Sequence, residues 1–233
     1  TILDLNNKAV AALSRGHTKQ SCAILQSALQ KVKQCVPIYK ECGESSAANG
    51  DSPSQKHQAG LLVIGTCSLS APHLTHETAF PFFSRAVLLQ VPDDLVPSVT
   101  DAQVSEEQWR TLAAALMYNL GLLHHITWTL DGNSKRLKRA LVFYESALNI
   151  IAPDQGLELD EKNTLLLIAS ANNMGHIHSS VFFNEYETQR SLETMRFLLE
   201  EGARPDALAD HYDCFLLTVC IMEAPERPAA AVA

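Results

Sequence analysis

The chain has no residue pattern that announces a reaction. No glycine-rich loop is placed to cradle a phosphate, no serine sits in a nucleophile-elbow context, and no His-Glu-x-x-His is present. No Cys-x-x-C pair occurs among the six cysteines, at 22, 35, 42, 67, 214 and 220, and their spacing fits no zinc module. They read as reduced, packed residues rather than a disulfide framework, which points to an intracellular compartment. No apolar run reaches the ~18 residues of a membrane span. Positive charge is scarce: net charge is −8 and only 19% of residues are charged. That excludes a general nucleic-acid or anionic-membrane surface, because both need basic residues in number. No catalytic residue is assigned and no cofactor is expected. The chain begins at Thr1 without a secretory apolar segment, so cytoplasm is the first expectation and organelle import stays open.

What is present is helical periodicity. With 46% hydrophobic residues, the 233-residue chain can build a substantial core. Leu3, Leu5, Ala9, Ala12 and Leu13 mark one amphipathic helix, Arg15-Gly16-His17 a break, and Cys22, Leu25, Ala28, Leu29 and Val32 a second helix. Helix pairs are expected over about 2–34, 106–151 and 160–201. Within the second pair, Thr127 to Ser134 reads as an inserted connection carrying the turn Asp131-Gly132-Asn133. Residues 43–59 are small and polar, with nothing to bury, and read as a flexible linker.

Three short apolar runs, at 61–67, 80–91 and 212–222, read as strands of a small antiparallel sheet. The first two are β-branched and flanked by breakers. The third fits a helical face as well, and is assigned to a strand because two lone strands need a partner. The whole, residues 1–233, is taken as a single mainly α domain: antiparallel helix hairpins with a small β insertion.

The hairpins share a further pattern. Small residues recur where helices would cross: Gly121, Ala140 and Ala147, followed by Pro153; Ala9, Ser21 and Ala28; and Gly175 after Asn172-Asn173-Met174. In this the chain resembles the tetratricopeptide (TPR) family of helical repeats over roughly half its length. It is also similar to a TPR-like class common in diatom proteins, whose members often end in a Pro- and Ala-rich tail. It departs from the family in the longer connection of the second pair and in the segments that separate the first two pairs.

The resemblance implies a noncatalytic scaffold or adaptor, or a subunit of a larger assembly, that binds another protein's peptide or helix in the groove lined by the first helix of each pair. The groove positions it implies are Asn6 and Val10; Tyr118, Asn119, Leu122 and His125; and Asn172, Asn173 and His176. Basic residues are absent there, so capture of a terminal carboxylate is not expected. The asparagines read equally as readers of a bound main chain or as bonds internal to the array.

The alternative of a different class uses His124 and His178, each three residues after its glycine, as metal ligands of a metal-binding protein or metal-dependent enzyme. Packing of the two rings is the competing reading, favoured because no carboxylate completes a ligand set. The basic run Lys135-Arg136-Leu137-Lys138-Arg139 reads as a solvated helix start ahead of an address signal or an acidic-partner site.

Overall fold

Thr1 opens the first helix by accepting the Asp4 amide on its hydroxyl, with the Asp4 carboxylate returning the contact. This reciprocal cap satisfies donors that a helix start leaves orphaned. The computed structural model describes residues 1–44, 63–69, 81–90, 106–151, 161–201 and 206–223. The protein is mainly helical, and among the described residues there is one two-stranded antiparallel sheet. It gathers into two compact units. The first comprises Thr1–Leu74 and Ser84–Glu158, the second Thr75–Phe83 and Leu159–Ala233.

In the first unit α1 (Ile2–Ser14) and α2 (Thr18–Glu44) form a hairpin. Gly16, at φ +78°, makes its turn in a backbone region that other residues enter only with strain. α2 continues past the expected end of the pair as far as Glu44. Residues 43 and 44 of the expected linker are therefore helical, and the rest of it lies outside the described residues. α3 (Glu106–Asp131) and α4 (Ser134–Ile151) form the second hairpin. Every residue from Tyr118 to Ile126 is buried, so α3 is the central helix of this unit.

The inserted connection expected at 127–134 is not an insertion. α3 runs through Thr127 to Asp131, and the turn is only Gly132-Asn133. Thr127 and Thr129 donate their hydroxyls back to the carbonyls of Leu123 and Ile126, at 2.6 and 2.7 Å, which accommodates both threonines inside the helix. Asp131 then accepts the Asn133 amide within the turn, the Gly132 N–H closes the end of α3 on the Trp128 carbonyl, and Asn133 caps the start of α4 by accepting the Lys135 amide.

The small residues lie where close packing needs them. Ala9, Ser21, Ala28, Ala140 and Ala147 have no exposed surface. At Gly121 the reason is explicit. A Cβ there would stand 2.7 Å from the ring of Tyr144, a contact no packed side chain tolerates. Glycine lets the fully buried ring of Tyr144 on α4 pack close against α3.

β1 (Val63–Ser68) pairs with β2 (Arg85–Gln90), from Val63 opposite Gln90 to Ser68 opposite Arg85. β2 lies within the stretch expected at 80–91, and β1 overlaps that expected at 61–67 but runs one residue further, to Ser68. The third expected strand, 212–222, is instead part of helix α7 (Asp206–Glu223). Its burial follows a helical period: Phe215, Thr218 and Val219 are buried while Leu216, Leu217, Cys220 and Ile221 are exposed. The sheet needs no third strand because side chains occupy the other edge of β2, as described below.

In the second unit α5 (Glu161–Ile177) ends in a π-helical turn, His178–Phe182. Phe183 reverses the chain at φ 49°, and Asn184 caps α6 (Glu185–Glu201) by accepting the Glu187 amide at 3.2 Å. Leu165, Leu166, Ile168, Met195 and Phe215 form its apolar interior. Among the described residues, no helix is long and apolar enough to cross a membrane.

Candidate functional site

β2 runs as an extended strand against helices rather than against a second strand on its inner side. Residues 86, 88 and 90 turn their main chain towards β1. The alternate residues turn theirs the other way. In the first unit those outward groups meet asparagines. The Val87 N–H donates to Asn119 Oδ1 and the Val87 carbonyl accepts from Asn119 Nδ2, both at 2.9 Å. Asn7 treats Leu89 identically, accepting its N–H at 3.1 Å and donating to its carbonyl at 2.6 Å. One side-chain amide thus imitates the main chain of a neighbouring strand.

The residue preceding each clamp adds one more bond, two residues back along the strand. Asn6 donates to the Val87 carbonyl at 3.1 Å, and the Tyr118 hydroxyl donates to that of Arg85 at 3.0 Å. Asn119 Nδ2 also donates to Asn6 Oδ1 at 2.9 Å, linking α1 to α3 beneath the strand. Asn6 and Asn119 have no exposed surface. A buried amide is costly unless its donors and acceptor are met, and here the strand meets them.

The second unit repeats the arrangement on α5. Asn173 accepts the Phe83 N–H at 2.9 Å and donates to the Phe83 carbonyl at 3.2 Å. Asn172, the preceding residue, donates to the Pro81 carbonyl at 2.8 Å. Phe83 itself packs on Phe215 and on the edge of His211. His176 lies against the Phe82 ring, with centroids 5.6 Å apart. Burial lowers the pKa of His176 to about 4, so it is neutral at physiological pH.

Six of the nine expected groove residues therefore touch the extended stretch 81–90: Asn6, Tyr118, Asn119, Asn172, Asn173 and His176. The other three do other work. Val10 and Leu122 are buried packing residues. His125 points to α4, where its Nδ1 lies 3.4 Å from the Tyr144 hydroxyl. The residue sequence reasoning passed over is Asn7. A signal for it exists: Asn7-Lys8-Ala9, Asn119-Leu120-Gly121 and Asn173-Met174-Gly175 each place an asparagine two before the small residue.

The metal alternative gains nothing. Among the described residues, no group of three or more His, Cys, Asp or Glu could hold a metal ion. His124 belongs to α3 and stacks on Phe143 at 5.5 Å with rings 5° from parallel, while His178 opens the π turn of the second unit. Burial, then Arg139 and Arg136, lower the pKa of His124. In the basic run, Arg136 pairs with Asp131 at 2.5 Å, Leu137 is buried, and Lys135, Lys138 and Arg139 are exposed.

No family model matches the chain, and no curated protein or solved structure matches it.

Proposed function

We propose that this protein is a noncatalytic, TPR-like interaction scaffold that engages another protein through an extended segment. One observation carries the reading. Two helices of the first unit, and one helix of the second within its own unit, present the same two-residue device, a clamp asparagine and a donor before it, to extended main chain. Such clamps recognise polypeptide as such, since their contacts are to main-chain groups that every residue except proline carries. The asparagine amides here bond to polypeptide main chain and to one another. The scaffold serves as an adaptor or as a subunit of a larger assembly.

Cross-linking in the source cell, followed by capture of the tagged chain, tests the reading. A specific protein recovered in near-stoichiometric amount is expected. Enrichment no greater than that of an unrelated helical control would end the scaffold reading.

A further inference from the structure

We infer that, in the first unit, β2 stands in for a partner's extended segment. The strand is the chain's own occupant of a peptide site, exchangeable for a segment supplied by another protein. The inference rests on the scaffold reading above and adds what the site takes and how it is controlled.

The contacts between strand and wall are of one kind. Six bonds from Asn6, Asn7, Tyr118 and Asn119 reach the main chain at residues 85, 87 and 89, and none of them reaches a strand side chain. A strand fixed only for packing would need apolar helix faces, as Val87 and Leu89 already have. Buried asparagines add a different requirement. Without an extended chain, water would have to replace the strand's N–H and C=O groups on amides set between helices and the apolar faces under Val87 and Leu89 would be exposed, so an empty groove is disfavoured. Replacing one extended chain by another keeps all six bonds. The wall therefore opposes vacancy but is indifferent, as far as the main chain is concerned, to whose strand fills it.

Side chains then set which segments fit. Ala86, Val87 and Leu89 have no exposed surface, whereas Leu88 is half-buried and Gln90 exposed. The incoming segment must be extended, with a small residue, a branched apolar residue, an unrestricted residue and a second apolar residue in succession. A segment with proline at either clamped position is excluded, since it lacks the donated N–H. While β2 is seated, a partner competes with a tethered strand, so affinity for the intact chain is held down by the fraction of time β2 is out.

Two measurements decide this. The first is native-state hydrogen exchange on the full wild-type chain. The Val87 and Leu89 amides are expected to exchange at least about ten-fold faster than those of Leu120 and Leu122 in α3, reporting release of the strand without unfolding of the helices. The second uses a fluorescent synthetic peptide matching residues 80–91. Val87→Asp in the chain weakens only the resident strand, and should raise affinity for the peptide about ten-fold or more over wild type. Adding Asn119→Ala should remove that gain, and a peptide N-methylated at the positions of Val87 and Leu89 should not bind. Equal exchange of β2 and α3, or a folded Val87→Asp chain that binds no better than wild type, would show β2 to be a permanent strand. If Val87→Asp does not fold alone, the wild-type exchange rates decide. No natural partner enters these experiments. Their failure therefore leaves the scaffold reading intact with a different surface, while failure of the capture experiment removes the scaffold reading itself.

Discussion

Asn119 is the residue on which the first unit's polar interior turns, since its one amide serves Val87 twice and Asn6 once. Asn119→Ala should cost about 3 kcal/mol, from bonds lost and strand groups left unmet. Asn119→Asp should cost more, because a carboxylate oxygen would face the Val87 carbonyl in a site closed to water. Urea unfolding of the three proteins orders them, and an aspartate as stable as wild type would contradict the clamp. Gly121→Ala puts two effects in opposition. Alanine favours a helix interior by roughly 1 kcal/mol, but its Cβ meets the buried Tyr144 ring at 2.7 Å. Overpacking costs about 1–3 kcal/mol, and the ring has nowhere to retreat, so a lower melting temperature is expected. Ser21→Ala should go the other way. The Ser21 hydroxyl is buried without a hydrogen-bond partner, so its removal should stabilise by about 1 kcal/mol. A melting temperature that falls would show that the hydroxyl has a role the packing does not reveal.

Among the elements, α7 ties the second unit together: it buries Phe215, Thr218 and Val219, and Phe215 meets Phe83 at 4.9 Å. Deleting residues 210–233 should uncover Phe83 and cause aggregation, visible by light scattering; a soluble, equally stable monomer would show α7 to be dispensable. The misassignment of this element has a physical cause. Thr218, Val219 and Ile221 suit a strand locally, and an eleven-residue apolar run does not fix its own period. A strand edge can be satisfied by side chains as well as by another strand, and here asparagines meet the edge of β2 that a third strand would otherwise fill. The helical hairpins were legible from their apolar period and from small residues seven apart in the second helix of a pair, Ser21 and Ala28 and again Ala140 and Ala147. The turn at Gly132-Asn133 was hidden behind two threonines whose helix-breaking tendency is cancelled by bonds to Leu123 and Ile126. The site was half legible. Its asparagines could be located on the first helix of each pair, but what they bind lies up to 91 residues away in the chain.

At the scale of the molecule, pH acts through His176. The unfolded chain titrates this ring near 6.5, while burial holds it near 4 in the fold. Between those values the unfolded state binds a proton that the folded state refuses, so stability rises with pH across this window. The contribution is complete above about pH 6.5 and is lost as pH falls towards 4, amounting to ~3 kcal/mol. Urea midpoints at pH 7.5 and pH 5 should therefore differ more for wild type than for His176→Phe. Equal falls in the two proteins would assign the acid sensitivity to other groups.

The clamps also bear on the sense in which a chain can be threaded. Reversing a strand exchanges the places of its N–H and C=O along the axis. A primary amide carries one donor end and one acceptor end, and half a rotation about its terminal bond exchanges them in the same way. Asn7 and Asn119 can therefore, by turning over, accept a main chain running either up or down the wall. Because Asn119 also donates to Asn6, and Asn6 to Asn7, the amides cannot turn over independently. Polarity is then a collective, two-valued property of the asparagine row, set for β2 by its covalent link to β1 and left open for any segment that arrives untethered.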